Sequence, residues 1–111
     1  QDIIKTGGHK VSALEIEEVL VEHPDINDAT VVSIHDSIWG EIVCAAVIPR
    51  TELLSDDSIL EWSKDKFISH KRPRRVLIMN VFPRNDLGKV IKGELRERFE
   101  KLTELELDDN T

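Results

Sequence analysis

The sequence predicts an α+β domain: an N-terminal β-hairpin plus a small three-stranded antiparallel sheet packed with about three helices. Three observations predict it. Runs rich in β-branched residues at 30–34 and 42–48 read as strands. Three other stretches, at 13–20, 59–67 and 91–102, carry apolar residues at helical spacing. The adjacent glycines Gly7 and Gly8 sit between two short patterned segments, the mark of a tight hairpin.

In order along the chain, Asp2-Ile3-Ile4-Lys5 and His9-Lys10-Val11 form that hairpin, with Thr6-Gly7-Gly8 as its turn. Ser12 and Glu15 have the spacing of a capping box, and Val11 with Ile16 that of a hydrophobic staple. The helix they open turns Ala13, Ile16, Val19 and Leu20 inward and Glu17, Glu18 and Glu22 toward water, and His23-Pro24 ends it. The strands at 30–34 and 42–48 follow, joined by His35-Asp36-Ser37-Ile38-Trp39-Gly40-Glu41. The second is apolar on both faces and belongs at the sheet centre, while Trp39 reads as a packing plug beneath the turn. Ser55 caps a helix through about residue 69, with Asp56 and Asp57 in its first turn and Lys64 and Lys66 near its end, as the helix dipole favours. After Pro73 a third strand covers residues 76–82, and the helices pack on one face of the sheet. Ile91, Leu95, Phe99 and Leu102 stripe the last helix, and the acidic residues from Glu104 onward fray.

With 111 residues and 40% hydrophobic content the chain builds one modest core, and its patterning from the first residue reads as a piece of something larger. No apolar run approaches membrane-spanning length and no signal-peptide layout is present, so the expected location is cytoplasmic. The single Cys44 lies in an apolar run and reads as an inert buried thiol. The four histidines lack metal-ligand spacing, and no protein-built metal site is expected.

Charge is unevenly placed. The net charge is −7, yet residues 64–92 hold nine of the 15 lysines and arginines against two acids, which would give one side of the protein an attraction for anions. Only Phe67 and Phe82 are aromatic there, too few for the stacking platforms of a nucleic-acid binder. Within this stretch, Pro83-Arg84-Asn85-Asp86-Leu87-Gly88-Lys89 forms a polar loop able to present Lys89 to a phosphate or carboxylate. Neither glycine segment is a P-loop, because the glycine spacing and the following Lys and Ser or Thr are missing.

The succession Ile4-Lys5-Thr6-Gly7-Gly8-His9-Lys10-Val11-Ser12, Glu15-Ile16-Glu17, His23-Pro24, Asp36 with Trp39-Gly40-Glu41, Lys71-Arg72-Pro73, and Pro83-Arg84-Asn85 with Gly88-Lys89 resembles the C-terminal domain of the adenylate-forming superfamily. That superfamily holds the acyl-CoA synthetases, firefly luciferase and the adenylation domains of nonribosomal peptide synthetases. The resemblance spans almost the whole chain. It implies that residues 1–111 are a mobile domain that rotates against an N-terminal domain holding ATP, Mg2+ and the carboxylic acid. The acid is first joined to AMP, and the acyl group then passes to CoA. By the same resemblance Lys89 is the adenylation lysine, and Lys5 serves the thioester half-reaction. Gly7 and Gly8 let the pantetheine arm pass, and Lys10 lies near the nucleotide phosphate. Lys64 falls near a CoA-nucleotide contact, and Gln1 stands at the hinge, where the family usually has Asp or Lys. Trp39-Gly40-Glu41 and Lys71-Arg72-Pro73 favour an acid–CoA ligase. A peptide-synthetase or luciferase-like member, or a binding domain that kept the fold without catalysis, are the alternatives.

Overall fold

A computed structural model describes residues 2–109. Strands β1 (Ile3–Thr6) and β2 (His9–Ser12) form the expected hairpin, and Gly7 and Gly8 at φ of 55° and 81° supply the left-handed pair that a two-residue turn requires. Ser12 accepts the amide of Glu15 at 3.3 Å and opens helix α1 (Ala13–Leu20), which buries Ala13, Ile16 and Leu20. The Glu15 carboxylate lies 3.9 Å from Lys71, so only the hydroxyl half of the capping box is built here.

Strands β3 (Ile26–Asp36) and β4 (Gly40–Pro49) are longer than the sequence runs suggest and pair antiparallel from Ile26↔Pro49 to Asp36↔Gly40. Asp36 accepts the amides of Ile38 and Trp39 at 3.0 and 2.9 Å, which closes the connection into a three-residue turn. Those backbone donors, Trp39 first, hold the Asp36 carboxyl below its ordinary value despite the opposing effect of desolvation. Helix α2 (Asp56–Lys66) begins in a reciprocal cap between Ser55 and Ser58 and stops short of the expected end, giving way to a 3-10 turn over Ser69–Lys71.

The third strand differs from expectation. β5 (Arg75–Ile78) is short and runs parallel to β4, pairing Cys44↔Arg75 through Val47↔Ile78. The connection contains α2, and a helix between neighbouring strands returns the chain in the same direction. Thr6 also pairs with Gly40, so the hairpin joins the main sheet and five strands share one array in the order β2-β1-β4-β3, with β5 on β4. β4 is central, as its apolar faces predict.

The helices do not share one face. α1 and α2 cover Val31, Val43, Ala45 and Val47, whereas α3 (Lys92–Asp109) lays Leu95 and Phe99 over Val32, Ile34, Cys44 and Ala46 on the other side. A strand apolar on both faces requires this, and each fully buried Leu or Phe contributes about 1.5–3 kcal/mol. Cys44 is fully buried and its thiol is pushed up to about 12 by desolvation, which leaves it chemically inert. α3 continues through the acidic residues expected to fray, and Glu106 reaches Arg75 at 3.2 Å. Among the described residues no helix is long and apolar enough to cross a membrane.

Candidate functional site

The Lys89 loop is closed at its base by a bridge between Arg84 and Val90 and by the Ile91 amide donating to Pro83 O at 2.9 Å. Inside it the Asn85 side-chain oxygen accepts the amides of Leu87 and Lys89 at 2.9 and 3.0 Å, while Asn85 N donates to Lys89 O at 2.9 Å. Arg84 donates to Gly88 O at 2.8 Å and reaches Asp28, at the start of β3, at 3.6 Å. Gly88 takes φ 81°, so the chain can turn sharply just before the lysine. The loop backbone is thus bonded internally, and the Lys89 side chain is exposed with no carboxylate paired to it among the described residues. An unneutralised ammonium carried on such a backbone can meet an incoming anion without first losing a resident one.

The glycine hairpin is held by successive residues of the β3–β4 turn. Trp39 O accepts the Gly7 amide at 2.9 Å, Gly40 pairs with Thr6, and the Glu41 carboxylate accepts the Lys5 amide at 2.7 Å and the Ser33 hydroxyl at 2.8 Å. The Trp39 ring lies directly on Gly7, with the Arg74 guanidinium 5.0 Å above it, so it packs on the turn as expected but stays 42% exposed rather than plugged beneath it. Nothing lies within 4 Å of where a Cβ on Gly8 would stand, so that side of the turn is open. Lys5 and Lys10 are directly opposed across the hairpin and both exposed. Like charges in that register are unfavourable unless an anion joins them. His9 stacks on His70 of the 3-10 turn with ring centroids 3.9 Å apart, tying the hairpin to the segment before β5.

The two loops lie toward opposite ends of β3. The Lys89 loop touches Asp28, whereas the glycine turn packs on Trp39, just past Asp36. The residues from Asp28 to Asp36 span roughly 26 Å at a strand's usual rise. The structure therefore brings Lys5, Gly7, Gly8 and Lys10 together and leaves Lys89 apart from them. Lys64 joins neither group: its ammonium is engaged by Glu61 at 2.8 Å within α2. Gln1 lies outside the described residues.

The basic stretch is not one anion-attracting face. Lys64, Lys71, Arg75, Arg84 and Lys92 each have a carboxylate within 4.0 Å, and Arg72 donates to the carbonyls of Phe67 and Lys64. Sequence reading also missed Asn85, Arg84 and Glu41 as the residues that shape the two loops. Their motif spacing was visible, but their hydrogen bonds depend on the folded turns. Glu17, expected in water, instead accepts the Val31 amide at 2.8 Å and lies 3.2 Å from the Lys92 ammonium.

Residues 15–89 match the AMP-binding enzyme C-terminal domain family. The chain is 44% identical over 99 residues to the malonate–CoA ligase ACSF3 of Mus musculus, covering 88% of this chain and 17% of that protein. It is 37% identical over 109 residues to the probable CoA ligase CCL8 of Humulus lupulus, covering 88% and 18%. The crystal structure of ATP-bound MatB from Rhodopseudomonas palustris superposes with a TM-score of 0.83 at 27% identity, covering 91% of this chain and 20% of that one. The chain thus spans less than a fifth of the length of these two ligases. With a matched segment that runs from α1 to Lys89 and contains both the Trp39-Gly40-Glu41 turn and the lysine loop, the chain belongs to the AMP-binding enzyme C-terminal domain family.

Proposed function

We propose that these residues are the mobile C-terminal domain of an AMP-forming acid–CoA ligase. The observation that carries this reading is the separation of two exposed, cation-bearing loops toward opposite ends of β3. A single active site on a partner domain can face only one of them at a time, and a reaction in two halves needs each in turn.

In the first half a carboxylate oxygen attacks the α-phosphorus of ATP, a P–O bond breaks, and pyrophosphate leaves. Two anions must approach, and Lys89 on its rigid loop offsets their repulsion as charge builds in the transition state. In the second half the CoA thiol, giving up its proton, attacks the acyl carbon and AMP leaves. The open side of Gly8 lets the pantetheine arm run close to backbone, while Lys5 and Lys10 face its phosphates and those of the nucleotide. ATP with Mg2+ and the acid are held mainly by an N-terminal domain, the partner against which this one rotates about the region of Gln1. The mouse relative's name makes malonate the first acid to try. Cytoplasm is the compartment expected from the sequence, whereas that relative is named as mitochondrial.

The test is Lys89→Ala in the full-length protein. ATP–pyrophosphate exchange should fall about 100-fold to 1,000-fold, the scale of losing one transition-state contact to developing charge. Thioester formation from supplied acyl-adenylate should stay near wild type. Equal loss in both half-reactions would remove the assigned role.

A further inference from the structure

Lys92, the first residue of α3, uses its ammonium on three partners from distant parts of the chain. It contacts the Asp2 carboxylate at 2.5 Å, the Glu17 carboxylate at 3.2 Å and the Val31 carbonyl at 3.1 Å. Three donors are all that an ammonium has. β3 pairs with β4 alone, and the Val31 amide is taken by the same Glu17 oxygen that faces Lys92. Asp2 is itself held twice, since its carbonyl accepts the amide of Ala13 at 3.0 Å at the start of α1. Its carboxyl is kept below the ordinary value, first by the Lys92 hydrogen bond. The Lys92 and Glu17 side chains are 24% and 20% exposed and Asp2 48%, so water screens the Lys92–Glu17 contact less than a surface pair.

Position gives this cluster a meaning beyond edge capping. Asp2 stands immediately before β1, and Lys92 stands three residues after Lys89. Asp2, Glu17, Thr30, Lys89 and Lys92 line one open groove. The start of β1 and the base of the lysine loop are therefore bolted together through one side chain. Lys89 keeps a fixed direction relative to the sheet only if the segment at the base of its loop is stiff.

We propose that Lys92 is a positioning residue for the adenylation half-reaction, fixing the base of the Lys89 loop against Asp2, Glu17 and Val31. The inference rests on the ligase reading above. Asp2 adjoins the first strand of the glycine hairpin, but the tip of that hairpin is held by its own contacts with Trp39, Gly40 and Glu41. Loss of Lys92 should therefore affect one half-reaction and spare the other.

The experiment uses the full-length protein with Lys92→Met, Lys92→Arg, Asp2→Asn and Glu17→Gln beside wild type and Lys89→Ala. Lys92→Met should lower kcat of ATP–pyrophosphate exchange about tenfold, the rate equivalent of one charge-assisted hydrogen bond. The KM for ATP and the thioester rate from supplied adenylate should each stay within about twofold, because Lys92 is placed at the loop's base and not on the nucleotide. Lys92→Arg, which keeps the charge and several donors, should recover most of the exchange rate, and Asp2→Asn should reproduce much of the Met variant's loss. If Lys92 only caps the strand edge, Asp2→Asn will be silent while Glu17→Gln and Lys92→Met lower both half-reactions together. That pattern overturns the inference while leaving Lys89 in its role. Wild-type protein without exchange activity would remove the ligase reading and this inference with it.

Discussion

The two hairpin glycines separate a structural requirement from a functional one. Both sit at positive φ, where an alanine costs about 1–2 kcal/mol of backbone energy. Gly7 carries a second constraint: a Cβ there would stand 2.9 Å from Trp39 Cε3. The ring cannot simply drift away, because the Trp39 carbonyl holds the Gly7 amide and Arg74 covers the ring. Overpacking of this kind typically adds 1–3 kcal/mol, so Gly7→Ala should cost roughly 2–5 kcal/mol in all. At Gly8 no heavy atom lies within 4 Å of the added carbon, and Gly8→Ala should cost only the backbone term. Urea denaturation followed by tryptophan fluorescence would read the difference. At a urea slope of ~1–3 kcal/mol/M, Gly8→Ala should move the midpoint by about 0.3–2 M and Gly7→Ala by a further ~0.3–3 M. In the full-length protein Gly8→Ala should leave adenylation within about twofold but slow thioester formation about tenfold or more, equivalent to ~1.4 kcal/mol of lost access at the transition state. A Gly8→Ala enzyme with a wild-type thioester rate would refute the passage of the thiol arm at this turn. Equal destabilisation by the two alanines would refute the role given to Trp39.

Two further outcomes test the supports of the loops. Asn85→Ala removes the acceptor for two loop amides, and should speed hydrogen exchange at Leu87 and Lys89 and lower adenylation about tenfold with the thioester step unchanged; unchanged exchange at both amides would refute the loop's dependence on that oxygen. His70 is held below its ordinary value of 6.5, by desolvation first and then by the charges of His9 and Lys71. The unfolded chain then binds more protons than the folded one, so the stability linked to His70 is complete above 6.5 and is lost as pH falls below that through the lowered folded value. Denaturation midpoints measured from about pH 8 to about pH 5 should fall, and His70→Asn should flatten that slope. A slope unchanged in the variant would exclude His70 as its source.

Local chemistry made much of this legible in the sequence. The Gly7-Gly8 turn, the Ser12 and Ser55 caps, the Leu95 and Phe99 stripe and the doubly apolar β4 all follow from rules that act over a few residues. The same local rules placed Glu17 in water, because helical periodicity puts it on the polar face of α1. It is drawn in by Val31 and Lys92, 14 and 75 residues away, and nothing within one helix announces such partners. Glu41 holds Lys5 across 36 residues and was visible only as part of a motif. The parallel β5 is a different kind of miss. The intervening helix was read correctly, and a crossover through a helix already implies a parallel neighbour.

Of the four lysines singled out from the sequence, the folded chain distinguishes one from the other three by its neighbours. Lys64 has a carboxylate at 2.8 Å, as expected of a charge on a solvated helix face. Lys5, Lys10 and Lys89 have none among the described residues, in a protein with 22 acidic residues and a net charge of −7. Lys66 and Lys101 have none among them either, so an unpaired ammonium alone marks no site; Lys5, Lys10 and Lys89 stand apart by the hydrogen-bonded hairpin and loop that carry them. In those turns Asn85 is neutral, and the Glu41 carboxylate is turned toward the Lys5 amide and the Ser33 hydroxyl. Each support orders a backbone without quenching the ammonium it presents. Under the proposed function this suits a cation that receives a transient phosphate or carboxylate, since a permanent partner would have to be displaced in every cycle.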